Sequence, residues 1–162
     1  YMLPTIQIKD NFLDEKEFEI LTNNIDKLLY LPMTNPDNFG FRHLFKKSSE
    51  NEWLYTKIKQ QFFPNVNLKE VESSYHLRHN TKKVLSHTDG ADFNLILYLK
   101  GKELTYNGTG FYYNNKLNTY LGFVENRAFF FDGKNVVHTD LQALGESSPR
   151  YSINICYNYE TS

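Results

Sequence analysis

At 162 residues the chain is long enough to close one hydrophobic core without metal or disulfide staples, and its 40% hydrophobic and 16% aromatic content excludes disorder except at the ends. A single cysteine, Cys156, excludes an internal disulfide framework or a cysteine-rich zinc site. The formal net charge of −1 offers no general attraction for phosphate backbones or anionic lipid, and Lys46-Lys47 and Lys82-Lys83 read as solvated loop charges.

Thr5 to Lys9 alternates apolar and polar residues and predicts a strand. Asp14-x-x-Glu17 is a capping-box pattern opening a helix whose apolar stripe is Phe18, Leu21, Ile25 and Leu28. From Leu31 to Ser48 the periodicity stops while Pro32, Asn35, Pro36, Asp37, Asn38 and Gly40 accumulate. This predicts a long loop over 31–48, with Phe39-Gly40-Phe41 as a candidate lid. Ser49-x-x-Glu52 is a second capping box, and Leu54, Ile58 and Phe62 describe a second helix that Pro64 stops.

Beyond Pro64 come short runs rich in Tyr, Phe, Val, Ile and Thr, punctuated by Asn, Gly, Asp and Lys. They predict strands near 70–78, 84–88, 93–100, 109–114, 117–123, 127–132, 135–139 and 150–158, with a hairpin turn at Asn114-Asn115. With no repeat or linker, residues 1–162 read as a single domain, a supporting strand and helices over 1–64 and a β core over 65–162. The residues alone predict helices packed outside a β-sandwich or short barrel. The run YMLPTIQIKD lacks a signal-peptide layout and Leu95 to Leu99 is too short to span a bilayer, so the expectation is a soluble, cytoplasmic protein with no membrane partner.

His87-Thr88-Asp89 sets an imidazole and a carboxylate two residues apart, and a strand's period of two directs both to one face. The chain holds a second such triplet, His138-Thr139-Asp140, and only the first has another histidine downstream to complete a three-ligand set. His87, Asp89 and His138 are therefore the candidate metal ligands and catalytic centre. Two imidazoles and one carboxylate leave open positions on an octahedral ion, the arrangement of non-haem iron(II) oxygenases, but zinc hydrolases use the same ligand types. A co-substrate site has to decide between them. His43, His76 and His79 lack ligand spacing to a partner and read as structural or solvent-facing.

Arg150, twelve residues after His138, opens an alternating strand in which Arg150, Ser152 and Asn154 share one face and Tyr151, Ile153, Ile155 and Tyr157 the other. An arginine on a polar inner face needs an anion. Its planar fork suits a carboxylate, so Arg150 is a candidate clamp for a dicarboxylic acid whose other end reaches the metal; the plain alternative is a salt bridge with a nearby Asp or Glu.

These residues resemble the iron(II)/2-oxoglutarate-dependent oxygenases, particularly the prolyl 4-hydroxylase-like branch. IQIKDNFLDEKEFEIL resembles its strand-and-helix entry, and SSYHLRHNTKKVLSHTD its tyrosine strand leading into His-x-Asp. DFNLILYLKG resembles the core strand that follows, NGTGFYY the glycine-rich strand crossing the site, NRAFFFDGKNVVHTD the run into the distal histidine, and RYSINICYN the Arg-x-Ser strand. The resemblance implies a mainly β fold with flanking helices around a double-stranded β-helix (jelly-roll, cupin-like) core. It implies Fe(II), O2 and 2-oxoglutarate, with ascorbate as an accessory, and oxidative decarboxylation of the co-substrate to succinate. Arg150 would bind the distal carboxylate, Ser152 would assist, Tyr98 would donate its hydroxyl, Tyr75 would face the co-substrate pocket, and Asn94 and Ile96 would line it. The Leu141 to Pro149 connection is longer than the family's usual spacing between distal histidine and arginine.

The implied activity is a hydroxylase of a polypeptide side chain, prolyl first, with a small metabolite next and a nucleobase third. An aromatic wall from Phe111, Tyr112 and Tyr113 with Tyr106 and Tyr120 would suit such substrates. The rival readings are a metal-dependent hydrolase and a catalytically silent metal-binding domain on the same fold. Oligomeric state has no signal in the sequence.

Overall fold

The computed structural model describes residues 5–33, 40–79 and 83–161. Strand β1 (Ile6–Lys9) leads into helix α1 (Glu15–Thr22), whose capping box forms as the sequence predicts. Asp14 Oδ1 accepts the Glu17 N–H at 2.8 Å and Glu17 Oε1 accepts the Asp14 N–H at 2.9 Å. The helix stops at Thr22, short of the expected stripe, because Asn23 and Asn24 are poor helix formers. Ile25 is still buried, carried by a separate 3-10 turn over Ile25–Lys27.

Helix α2 (Glu52–Phe62) buries Leu54, Tyr55, Ile58 and Phe62 and ends just ahead of Pro64. Its predicted Ser49 capping box is not the one used. Asn51 precedes the first helical residue, and its side chain is spent backwards, Oδ1 accepting the Ser48 N–H at 2.8 Å and Nδ2 donating to the Lys46 carbonyl at 3.0 Å.

Residues 31–48 are not one long loop. Leu31–Pro32 (β2) and Gly40–Phe45 (β3) are strands, and β3 pairs antiparallel with β4 (Leu68–Arg78) from Gly40 opposite Arg78 to Phe45 opposite Ser73. The Pro, Asn and Gly punctuation masked a short alternation in which Phe41, His43 and Phe45 meet rings on β4 and just beyond it. Phe41 stacks on His79 at 5.4 Å, and Phe45 and His43 pack against Tyr75. The part of the expected lid over 34–39 lies outside the described residues.

The remaining strands are β5 (Phe93–Lys100), β6 (Thr109–Tyr113), β7 (Lys116–Leu121), β8 (Ala128–Phe131), β9 (His138–Asp140) and β10 (Arg150–Tyr159). The expected strand at 84–88 contributes only a single bridge, His87 to His138, and the one expected at 135–139 begins at His138. Seven strands form one sheet in the order β1-β8-β5-β10-β4-β3-β2, and three form a second in the order β7-β6-β9. Between β6 and β7, Asn114 and Asn115 both take positive φ, 48° and 63°, the two-residue turn that their identity predicts.

The period of two sorts each central strand between two cores. Leu95, Leu97, Leu99, Ala128, Phe130, Ile153 and Ile155 face α1 and α2. Tyr98, Phe129 and Phe131 face the small sheet and meet Phe111, Leu121 and Phe123. Polar residues occupy the same inner side toward the other end of β10 and β4, and that is where the cavity opens. No helix among the described residues is long and apolar enough to cross a membrane.

Asn126 ties the entry segment to this frame. Its Oδ1 accepts the Leu13 N–H at 2.9 Å, its Nδ2 donates to the Leu13 carbonyl at 2.8 Å, and its backbone sits at φ 65°. Asn126→Ala removes both bonds and leaves a left-handed residue without asparagine's tolerance for it, so a loss of about 1–3 kcal/mol is expected. Urea denaturation checks this, and Asn126→Gly should lose less.

Candidate metal centre

The bridge between His87 and His138 is a reciprocal pair of backbone bonds, each N–H to the other's carbonyl at 2.9 Å, which sets the two imidazoles side by side with centroids 4.4 Å apart. Asp89 is held across from them by its own N–H, which donates to the Gly133 carbonyl at 2.7 Å. The three side chains offer one ligand atom each, all within 4.8 Å of one another. Asp89 Oδ2 lies 3.1 Å from His138 Nε2, and Oδ1 lies 3.6 Å from His87 Nε2.

The donor set fits a divalent cation. Nδ1 of His138 is 2.9 Å from the Val136 carbonyl and Nδ1 of His87 is 3.0 Å from the Leu85 carbonyl, so each Nδ1 carries the proton and each Nε2 is left with its lone pair. That lone pair faces a carboxylate, an acceptor meeting an acceptor. A cation between them resolves the conflict and uses all three groups as ligands. With a proton instead of a cation on each Nε2 the conflict is also relieved: burial, the largest influence, raises the Asp89 pKa, but the hydrogen bond from His138, the charges of both histidines and the Asn94 amide then bring it below the ordinary carboxylate range. Phe131 and Phe111 pack against the His138 ring at 4.8 Å and 6.4 Å and shield that side from water.

Asn94 stands beside this centre. Its Nδ2 donates to Asp89 Oδ2 and its Oδ1 accepts the Cys156 thiol at 3.1 Å, so it orients the carboxylate. Burial, with Asp89, Glu72 and Glu70 nearby, pushes the Cys156 thiol up to about 12. The thiol should therefore resist a disulfide reagent such as Ellman's at neutral pH in the folded protein and react promptly in denaturant; rapid labelling of the native protein would contradict this.

Arg150 lies at the other end of the cavity, almost fully buried. Its Nη1 donates to the Asn107 and Gly108 carbonyls at 2.7 and 3.2 Å, and its Nη2 pairs with Asp140 Oδ2 at 2.7 Å. The plain alternative raised by the sequence, an acidic partner within the chain, is thus present alongside the cavity location. Gly108 is required here, since a Cβ would stand 1.9 Å from the Leu121 carbonyl oxygen. The Arg150 guanidinium carbon sits 5.7 Å from the centre of the fully buried Tyr98 ring, whose hydroxyl is bonded to Thr109 Oγ1 at 2.7 Å. Burial, the largest influence, raises the Tyr98 phenol above its usual range. Thr109, not Tyr98, lines the cavity.

Ser152 shares the Arg150 face and bonds Asn154 Oδ1 at 2.7 Å. Tyr75 does not join them. It leaves β4 on the opposite face, packed against Phe45 and the helix-side core, because its neighbours Ser74 and His76 take the cavity side. The expected aromatic wall is likewise absent from the lining: Phe111 is in the core, Tyr113 and Tyr120 are exposed, and Tyr106 packs on Tyr120. The cavity, about 560 Å³, is instead walled by Arg42, Ser74, His76, Arg78, Asp140 and Arg150 among others. Burial and the charges of Arg78, Arg42 and Arg150 push His76 down to about 3. His76, Arg78 and Asp140 line the cavity and were not singled out by sequence reasoning. Their signals were the alternation Ser74, His76, Arg78 and the second His-x-Asp triplet.

No family model matches the chain, and a search of curated proteins found no match. Solved structures do resemble it. It is similar to the viral collagen prolyl hydroxylase of Paramecium bursaria Chlorella virus-1 in its 2-oxoglutarate complex, at TM-score 0.68 and 15% identity over 98% of this chain and 97% of that one. It is similar to a Pseudomonas putida prolyl-4-hydroxylase at TM-score 0.69 and 13% identity, over 97% and 94% of the two chains. It is also similar to HygX of Streptomyces hygroscopicus, solved with nickel, 2-oxoglutarate and hygromycin B, at TM-score 0.69 and 10% identity over 96% and 83%. What they share with this chain is the fold, a double-stranded β-helix, and the described residues of this chain place ten strands in its two sheets.

Proposed function

We propose that the protein is an iron(II)- and 2-oxoglutarate-dependent dioxygenase that hydroxylates a polypeptide side chain, of prolyl type, or a small molecule. The carrying observation is one cavity with a three-ligand His-Asp-His centre at one end and a buried guanidinium at the other. That spacing of functions suits a dicarboxylate whose near end chelates the metal. His87, Asp89 and His138 would hold the iron, with Asn94 orienting Asp89. Arg150, backed by the Tyr98 ring, would hold the distal carboxylate. When bound, iron(II) and 2-oxoglutarate would supply the activation of dioxygen, one oxygen atom entering succinate as carbon dioxide leaves and the other entering a C–H bond of the substrate. The chain's own part is to orient these groups and to keep water from the His138 side through Phe111 and Phe131.

The neighbours named for prolyl hydroxylation support a peptide substrate, and the one solved with hygromycin B supports a small molecule. The lack of Phe, Tyr or Trp in the described lining speaks against recognition by stacking and keeps a nucleobase last. A second reading, a metal-binding domain without oxygenase activity, is favoured by the pairing of Arg150 with Asp140.

The experiment is an anaerobic titration of iron(II) and 2-oxoglutarate, followed by a succinate assay with proline-containing peptides, amino acids, small metabolites and oligonucleotides. Succinate coupled to a one-oxygen mass gain on a peptide is expected. Oxidation of metabolites alone would move the substrate class, and metal binding without 2-oxoglutarate binding would leave the second reading.

A further inference from the structure

Arg78 has no part in the function above, yet it stands beside the clamp. It is the direct antiparallel partner of Arg150 in the β4 and β10 pair, so both side chains leave the sheet on the cavity side. One oxygen serves both: Asp140 Oδ2 lies 2.7 Å from Arg150 Nη2 and 3.0 Å from Arg78 Nε. The other oxygen, Oδ1, accepts the Gln142 backbone N–H at 2.8 Å. Asp140 is anchored by three donors, and its charge is a built-in part of that end of the cavity.

Within this cluster of described residues, two guanidiniums share one carboxylate, which leaves an excess of one positive charge among the three side chains. Without Arg78 the remaining pair, Arg150 and Asp140, would sum to zero and would present a fixed carboxylate to an incoming one, a repulsive arrangement. Arg150 also has its Nη1 committed to the Asn107 and Gly108 carbonyls, which reduces the donors it can turn toward the cavity. We infer that Arg78 is a second co-substrate-binding residue, supplying the charge that Asp140 cancels and sharing the distal carboxylate of the dicarboxylate with Arg150. This rests on the proposed dependence on 2-oxoglutarate.

The test is calorimetric titration of 2-oxoglutarate into the iron(II)-loaded protein without oxygen, with iron(II) affinity measured in parallel. Arg78→Gln should weaken 2-oxoglutarate roughly tenfold to a hundredfold, the loss of one charge-assisted contact, with iron affinity unmoved. Asp140→Asn should tighten it, and the double variant should return toward the wild-type value because the net charge is restored. Arg78→Lys should lose less than Arg78→Gln. A purely structural Arg78 predicts no change in any folded variant, and wild-type affinity in Arg78→Gln overturns the inference while leaving the oxygenase reading intact. Should Arg78→Gln not fold, Asp140→Asn decides, since equal or weaker binding there overturns it. A wild-type protein that binds iron but not 2-oxoglutarate overturns both.

Discussion

Asp89→Ala is expected to abolish tight iron(II) binding. The proposed centre has three protein ligands, and Asp89 is the acidic one, facing both imidazoles across 3.1 and 3.6 Å. Losing merely an outer partner of a ligand costs a metal site about 10–100-fold in affinity, so loss of the ligand itself should exceed a hundredfold. His87→Ala and His138→Ala should match it in metal binding but differ in the metal-free protein. The His87 side chain is 53% exposed and that of His138 is 7% exposed, wedged against Phe131 and Phe111. His138→Ala therefore opens a gap in a packed site and should lower the urea midpoint of the apo protein, while His87→Ala should leave it nearly unchanged. Calorimetry or metal analysis after desalting reads the first effect, and unchanged affinity in the Asp89 and His87 variants would sink the assignment.

The strands were legible where a period of two ran uninterrupted. Arg150 to Tyr159 alternates, and its two faces part into helix-side core and cavity, whereas Phe93 to Lys100 is a nearly continuous apolar run whose inner face is shared between the cavity, at Asn94 and Ile96, and the second core, at Tyr98. Legibility failed where pairing across the fold outweighs local punctuation. Gly40 to Phe45 sits among turn residues, and nothing local announces that β4 offers an edge for it to join. That His87, Asp89 and His138 meet was legible because His-x-Asp needs only two residues at a spacing of two and the chain offers one histidine downstream of it to join them. The face of Tyr75 was legible only in part, since alternation fixes that it opposes Ser74 and His76 without saying which side holds the cavity. Arg78 and Asp140 were hidden for a related reason: their meaning comes from the register that sets Arg78 opposite Arg150, and register is a tertiary fact.

Arg150→Ala should then strip the protein of 2-oxoglutarate binding while sparing the metal. The guanidinium is buried, and its loss leaves the Asn107 carbonyl without its donor, the Gly108 carbonyl with only the Leu141 N–H, and Asp140 with one cation fewer. Removing one member of a buried charge pair destabilises by about 3–5 kcal/mol, so the urea midpoint should fall as well. The proposed metal ligands are His87, Asp89 and His138, none of which bonds Arg150, and iron affinity should stay within a few-fold of wild type once the variant is folded. Arg150→Lys separates charge from geometry: it keeps the positive charge but cannot reproduce the fork, so it should recover part of the stability and little of the co-substrate affinity. If Arg150→Ala instead bound 2-oxoglutarate as the wild type does, that arginine would be a structural partner of Asp140, and the dicarboxylate would have to be held elsewhere in the cavity.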